Sequence, residues 1–126
     1  MTLETIYWKA KKPKYKKWYI GYKLYNGTKE KPLPHYFRWN QKNYLPINKI
    51  IKSTGVILLN KDKSSITYPV GFHVFNNLKD ARKFCNSFDY TLNIWEVYFK
   101  DIVAEGTEQG YEICVAKTMQ IMRCLK

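Results

Sequence analysis

Acidic side chains are scarce in the first half of this chain. Residues 1–63 hold 15 Lys and Arg residues against three acids, whereas residues 64–126 hold seven of each, so the net charge of +12 arises entirely in the first half. Charge segregated in this way is typical of a surface that binds a polyanion, although a solvated basic face in a lysine-rich protein has the same composition. The few acids are dispersed, which argues against the clustered carboxylates of a metal-dependent nuclease.

Long apolar runs and closely spaced cysteines are also missing. No run of about 18 apolar residues occurs, so no transmembrane helix and no membrane partner are expected. The beginning of the chain lacks the basic-then-apolar layout of a secretory signal, which predicts an intracellular protein. Cys85, Cys114 and Cys124 form no CxxC pair, and we expect them to be reduced thiols without a metal.

Motifs that bind phosphates or activate a nucleophile are absent as well. The chain has no GxxxxGK or GxGxxG loop and no GxSxG elbow, so we expect neither a cofactor nor an enzyme. The best catalytic alternative pairs His73 with Glu96 or Asp101 as acid and base. A histidine held by hydrogen bonds in the fold is the more common case, and Glu96 suits a cross-strand pair with Lys117 equally well.

The local structure is clearest in residues 70–85, where a short apolar strand turns at Asn76 and Asn77 into a helix. Asn77 suits the N-cap and Asp80 suits the first turn, so a helix is predicted over about residues 77–86. One face of this helix is apolar and the other is basic. The apolar positions are Leu78, Ala81, Phe84 and Cys85, and the basic ones are Lys79, Arg82 and Lys83.

Alternating apolar residues predict the strands. Residues 18–25, 35–39, 92–103 and 111–121 alternate, and residues 56–59 form a short apolar run, while Ile47, Ile50 and Ile51 fit either a helical turn or a strand. A turn over residues 105–110 joins the last two strands as an antiparallel hairpin. At 126 residues the chain is long enough for one domain, 1–126, with a basic, aromatic half and a neutral half. We therefore predict an α+β fold, an antiparallel sheet of about five strands with one main helix.

The basic and aromatic residues of the first half are the strongest functional signal. Six lysines fall within residues 9–17, around a proline that disfavours a regular helix or ladder. Lysines neutralise phosphates, and aromatic rings stack on unpaired bases, so this half predicts binding of RNA or single-stranded nucleic acid. No helix-turn-helix pattern favours duplex DNA. The candidate binding residues are Lys9, Lys11, Lys12, Lys14, Tyr15, Lys16, Lys17, Trp18, Arg38, Trp39 and Lys42. For Trp18 or Trp39 taken singly, packing inside the sheet is slightly favoured over stacking on a base.

The second half resembles a group of small uncharacterised proteins carried by phages and prophages. The resemblance covers about the last 60 residues, through residues 68–75 (YPVGFHVF), 78–82 (LKDAR), 96–106 (EVYFKDIVAEG) and 115–119 (VAKTM). Its motifs are structural, so it implies a fold and an origin in a mobile element but no reaction.

A small basic protein of this kind suggests, by analogy, the anti-CRISPR inhibitors, a functional label that unrelated folds share. The expectation is a viral protein in the cytoplasm of a bacterial host cell. It would inhibit an RNA-guided nuclease stoichiometrically, by binding the CRISPR effector or its guide RNA. The alternatives are a small enzyme that uses His73 and an interaction module whose lysines meet an acidic partner.

Overall fold

Most of the described chain is antiparallel sheet, with one helix. The computed structural model describes residues 3–10, 17–33, 44–53, 58–59, 68–69, 71–87 and 92–125. The strands and the helix in chain order are β1 (Thr5–Lys9), β2 (Tyr19–Gly27), β3 (Pro32–Leu33), β4 (Ile50–Lys52), β5 (Leu58–Leu59), β6 (Tyr68–Pro69), β7 (Phe72–Phe75), α1 (Leu78–Asn86), β8 (Asn93–Glu108) and β9 (Tyr111–Leu125). The sequence-predicted strand over residues 35–39 lies outside the described residues.

The hairpin of β8 and β9 is the frame on which the other strands assemble. The two strands have 16 and 15 residues and pair along nearly their whole length. The turn between them is tight, because only Gln109 and Gly110 separate the strands and both have positive φ angles, 52° and 82°. Two such residues match the right-handed twist of the strands they join. The turn predicted over residues 105–110 therefore began too early, because β8 continues to Glu108.

The pairings close the sheet into a ring. β8 pairs with β9 along one edge and with β2 and β1 along the other, while β9 pairs with β7 and β4 along its second edge. β2 also pairs with β7, through Tyr22 and Phe75, so that β8, β2, β7 and β9 form a closed circuit. Bulges in the β8–β9 pairing bend the hairpin enough to allow this closure.

Within the described ranges, the main sheet contains seven strands rather than about five. The predicted number of strands was too low because β1, β3 and β4 are short, and each of them pairs with a longer strand. β3 pairs with the last residues of β2. The residues around Ile50, whose spacing fitted either a helical turn or a strand, form the strand β4. β5 and β6 form a separate two-stranded sheet. The antiparallel α+β class is confirmed at this coarser level.

The helix α1 begins as its sequence predicts. The Asn77 side chain caps it by accepting a hydrogen bond from the Asp80 backbone N–H at 2.8 Å, and Ala81 and Phe84 are buried against the sheet. The Asp80 carboxylate also accepts from the backbone N–H of Glu112 at 3.1 Å, which ties the start of α1 to β9. In the part of the chain that the structure describes, no helix is both long and apolar enough to cross a membrane.

Glycine is required where β2 meets β7. A Cβ atom at Gly21 would overlap the Val74 side chain and come within 2.8 Å of the Phe99 ring. Val74 and Phe99 are buried in the apolar interior of the ring of strands. The close approach of β2 to β7, and so the closure of the sheet, depends on the missing side chain at this position.

We expect Gly21→Ala to lower the free energy of unfolding by about 1–3 kcal/mol, because the added methyl forces core side chains or backbone to shift. Urea unfolding of the two proteins measures the difference. The matched control is Gly110→Asn, in the β8–β9 turn, where nothing lies within 4 Å of an added Cβ and asparagine tolerates the positive φ. Equal losses in the two variants would contradict a specific role for Gly21.

A lysine reinforces the same junction. The Lys23 ammonium donates a hydrogen bond to the His73 carbonyl oxygen at 2.7 Å, which joins β2 to β7 beyond their single paired position. The ammonium also lies 5.8 Å from the centre of the Tyr25 ring. Burial lowers the pKa of Lys23 to about 8, from the usual 10.5. The neutral amine is therefore the favoured form inside the fold at mildly alkaline pH.

Lys23 makes folding stability depend on pH. Between about pH 8 and pH 10.5 the unfolded chain binds more protons at this residue than the folded protein does, so its contribution to the free energy of unfolding rises with pH. Relative to Lys23→Met, the wild type should gain about 3 kcal/mol from the lower to the upper end of this window. Urea unfolding at both pH values measures the gain.

The comparison with Lys23→Met also removes opposing effects. Burial raises the pKa of Tyr25 and raises that of Cys114 to about 12, so the contribution of each group to the free energy of unfolding falls as pH rises. The fall is the same in both proteins and cancels in their difference. Lys79→Met, on the exposed side of α1, serves as the control and should show no such pH dependence. A stability difference between wild type and Lys23→Met that stays constant with pH would contradict the shifted pKa.

Candidate nucleic-acid interface

The helix α1 covers one face of the sheet only in part. Leu24 and Ile94 are buried in the same apolar cluster as Ala81 and Phe84 of α1. Farther along the same strands, this face is exposed. Ile20 is 54% exposed there, although its neighbours on the opposite face are core residues. The exposed part of the sheet is called the outer face below and consists of Trp18, Ile20, Ile50, Lys52, Tyr98, Lys100 and Gln120.

Strand register places these residues side by side. Ile20 on β2 pairs with Tyr98 on β8, Tyr98 with Gln120 on β9, and Gln120 with Ile50 on β4. Cross-strand partners point to the same side of a sheet, so these four side chains form one row across four strands. At about 4.8 Å between neighbouring strands, the row is about 14 Å wide. Ile50, at its far end, is 56% exposed.

Cations border this row. Lys100 pairs with Thr118, and Thr118 pairs with Lys52, which places both lysines on the outer face one pleat beyond the row. The Lys100 ammonium lies 4.7 Å from the centre of the Trp18 ring. Such a contact is an attraction between the cation and the ring face and holds the side chains together at the surface. Trp18 is 38% exposed and therefore belongs to the surface rather than the core.

A second pair of this type lies next in the chain. The Lys17 ammonium is 5.2 Å from the centre of the Tyr19 ring, and Tyr19 in turn packs against Phe99 on the opposite face of the sheet. Trp18 and Tyr19, at the start of β2, are thus each in contact with a lysine, and the two lysines lie on opposite sides of the strand. This edge of the sheet combines charge with flat apolar surface, as single-stranded nucleic acid requires.

Three of the sequence-predicted binding residues fall within the described chain. Trp18 lies at the outer face, whereas Lys17 lies over the Tyr19 ring on the other side of β2. Lys9 is exposed on β1, opposite Ala104, on the far side of the irregularity in β8 between Ile102 and Ala104. The structure does not group Lys9 with the other two. The remaining candidates lie outside the described residues, namely Lys11, Lys12, Lys14, Tyr15, Lys16, Arg38, Trp39 and Lys42.

The sequence-based interpretation missed the contribution of the second half of the chain. Tyr98, Lys100 and Gln120 belong to the half whose net charge is zero, yet Tyr98 and Gln120 form the middle of the outer face and Lys100 lies at its border. The signal was present in β8, where Tyr98 and Lys100 share one face by alternation. Counting charge along the chain hid it, because the seven cations of this half are balanced in the count by seven acids. Exposed cations also occur on α1, at Arg82 and Lys83.

The buried histidine has a structural partner. The His73 Nε2 atom lies 2.9 Å from the Tyr68 hydroxyl, which also accepts a hydrogen bond from the Leu3 backbone N–H at 2.8 Å. Tyr68 and His73 are 0% and 8% exposed. Through this network, β6 and β7 are tied to Leu3, two residues before β1. The geometry identifies His73 as part of a buried polar network.

The two carboxylates considered as partners of His73 are engaged elsewhere. Glu96 forms an ion pair with Arg123 at 3.3 Å, and Arg123 is also its register partner on β9, so the alternative of a cross-strand pair with Lys117 was wrong. Asp101 accepts a hydrogen bond from the Thr118 hydroxyl at 2.6 Å. Across the residues that the structure describes, no group of three or more His, Cys, Asp or Glu side chains is arranged to hold a metal.

Comparison of the chain with family models, with curated protein sequences and with solved structures finds no match. The physical character of the outer face is therefore the basis for a functional proposal.

We expect Tyr68→Phe to lower the free energy of unfolding by about 1–3 kcal/mol, because it leaves the buried Leu3 N–H and the His73 ring without the hydroxyl. Chemical denaturation measures the loss. Tyr7→Phe is the matched control, since Tyr7 is 59% exposed and its hydroxyl contacts the exposed Glu112 at 3.3 Å. If both variants were as stable as the wild type, the buried network would not stabilise the fold.

Proposed function

We propose that this protein binds RNA or single-stranded nucleic acid through the outer face, without catalysing a reaction. The observation that carries the proposal is the exposed Trp18 ring held against Lys100 beside a flat row of side chains. Unpaired bases stack on aromatic and apolar surfaces of this kind, while lysines at the border neutralise their phosphates. A row about 14 Å wide has room for roughly two or three splayed bases.

Several features favour a single strand over a duplex. The outer face is a sheet surface with exposed Ile20 and Ile50, and apolar side chains gain little from a duplex whose bases are already stacked. Its cations lie at the border of the face rather than in its middle. A row of phosphates that follows this border would contact them. Both features fit a strand that lays its bases on the sheet and its backbone along the edge.

The more specific version of the proposal concerns an RNA-guided nuclease. The resemblance of the second half to phage and prophage proteins supports a setting in which a small basic protein inhibits a CRISPR effector by binding it or its guide RNA. Inhibition of this kind is stoichiometric and needs no catalytic group. The rival interaction module would use the same lysines, with an acidic protein surface in place of the phosphates.

Gel-shift and fluorescence titrations with RNA, single-stranded DNA and duplex DNA test the proposal. We expect Trp18→Ala to weaken RNA binding by about tenfold or more, because a stacked base contributes roughly 1–3 kcal/mol. Lys100→Gln and Lys52→Gln should each weaken binding and reduce the slope of log affinity against log salt by about 0.7. For a strand that contacts about six phosphates, the wild-type slope is near −4.

Two cations on α1 provide the matched controls. Arg82→Gln and Lys83→Gln remove the same charge from an exposed position on the helix, and both should bind RNA like the wild type. If the helix variants lose as much affinity as the outer-face variants, binding is a diffuse effect of net charge. If no nucleic acid binds at moderate salt, with or without a candidate nuclease complex, the proposal is wrong.

The lysine-rich segment is tested separately from the outer face. A variant in which Lys11, Lys12, Lys14 and Lys16 are replaced by glutamine should bind more weakly at low salt, because it neutralises fewer phosphates. We expect its free energy of unfolding to equal that of the wild type, which urea unfolding measures. Comparison with Trp18→Ala then separates the contribution of charge from that of stacking.

A further inference from the structure

An arginine lies one pleat beyond the row of the outer face, on the side away from the two border lysines. Arg123 on β9 pairs with Glu96 on β8, and Glu96 lies on the same side of β8 as Tyr98 and Lys100 by alternation. Since cross-strand partners point to the same side, Arg123 faces outward as well. The next outward-facing pair along the two strands belongs to the apolar cluster that α1 covers. Arg123 therefore lies between the exposed row and the helix.

A bulge in the β8–β9 pairing turns Arg123 to this side. Gln120 faces outward, so strict alternation along β9 would place Met122 there and Arg123 on the inner side. The pairing instead shifts between Glu96 and Val97, which adds one residue to β9 and brings Arg123 opposite Glu96. Bulges re-aim side chains in this way beside active sites. The backbone thus directs Arg123 to the side of the sheet that carries the row.

The guanidinium of Arg123 is exposed and yet held in position. Its side chain is 70% exposed, and its Nε atom donates to the Glu96 carboxylate at 3.3 Å. Because this bond uses Nε, the two terminal amino groups of the guanidinium are left out of it, and within the described residues they have no other partner. An exposed ion pair contributes little to stability, so its main effect is to orient the guanidinium.

A strand bound as proposed above directs the edges of its bases toward this arginine. Its phosphates follow the border lysines, and its bases lie over the row from Ile20 to Ile50. Lys100 and Glu96 are four residues apart on β8, which corresponds to about 13 Å at 3.3 Å per residue. A nucleotide whose phosphate is at the lysine end of this span has its base over the row and its base edge toward the other end. The long side chains of Lys100 and Arg123 shorten the distance further.

The chemistry of the guanidinium selects among the bases. Its two terminal amino groups are donors in a rigid, planar fork, which matches two adjacent acceptors. Guanine presents such a pair in O6 and N7. Adenine and cytosine carry an amino donor on the corresponding edge, which opposes the donors of the guanidinium, and uracil carries a single acceptor.

We infer that Arg123 selects guanine in the bound strand, by donating from its two terminal amino groups to O6 and N7, with Glu96 as its positioning residue. The inference rests on the proposed function, which supplies the strand and its direction across the sheet. It adds a base preference to a surface whose other contacts, stacking and phosphate neutralisation, are tolerant of sequence.

Fluorescence anisotropy with short labelled oligoribonucleotides tests the inference. One strand is all uridine, and three others carry a single central guanosine, adenosine or cytidine. We expect the guanosine strand to bind about tenfold tighter than the adenosine strand, as a matched bidentate contact allows. The adenosine strand is the matched control, because the two purines have the same charge and similar stacking surfaces.

Two purine analogues test the contact with O6 and N7 directly. Inosine keeps both acceptors and lacks the N2 amino group, so it should bind like guanosine. Replacement by 7-deazaguanosine removes the N7 acceptor and should abolish most of the preference. Neither comparison changes the protein, so neither depends on the folding of a variant.

Variants assign the preference to the ion pair. Arg123→Lys keeps the charge but not the fork, and it should lose the preference while binding the uridine strand like the wild type. Arg82→Lys, at an exposed position of α1, is the matched control and should keep the preference. Glu96→Ala should reduce the preference, and Glu96→Gln, which retains an acceptor for Nε, should restore most of it.

The outcomes separate this inference from the proposed function. Equal affinity for the guanosine and adenosine strands would overturn the guanine contact and leave single-strand binding standing. A preference that survives Arg123→Lys, or that is lost with inosine, would overturn the assignment to Arg123. If none of the four strands binds, the proposed function fails and the inference fails with it.

Discussion

The close contact between β2 and β7 is the constraint on which the rest of this structure depends. The two strands lie on opposite sides of the β8–β9 hairpin, and they meet because the hairpin is bent by bulges. Gly21 lets the backbones approach, and Lys23 adds a hydrogen bond to the His73 carbonyl. Closure buries the inner side of the ring of strands and leaves the outer side to be covered by α1 or exposed to solvent.

The outer face follows from this closure. α1 is nine residues long, so it covers the sheet near Leu24 and Ile94 and leaves the row from Ile20 to Ile50 exposed. At the start of β2, Trp18 belongs to the outer face, and Lys17 lies over the Tyr19 ring on the other side of the strand.

The distribution of charge along the sequence differs from its distribution on the folded surface. The excess of cations in residues 1–63 is real, but the outer face joins Lys52 from that half to Lys100 from the neutral half. Of the acids near Lys100 in the sequence, Glu96 forms an ion pair with Arg123, whereas Asp101 accepts a hydrogen bond from Thr118, the residue that lies between Lys100 and Lys52. The border of the outer face therefore carries two lysines and one carboxylate.

The sequence by itself determined the local elements: α1 with its Asn77 cap, the aromatic strand β2, and the long hairpin, because capping and alternation are properties of neighbouring residues. It also placed Tyr98 and Lys100 on one face of a strand. Only the tertiary structure decided that the sheet closes, that it has seven strands, and that Trp18 stands at the surface against Lys100. The register that joins Ile20, Tyr98, Gln120 and Ile50 in one row comes from residues up to about 100 positions apart. Such pairings are set by packing of the whole chain, and no local pattern encodes them.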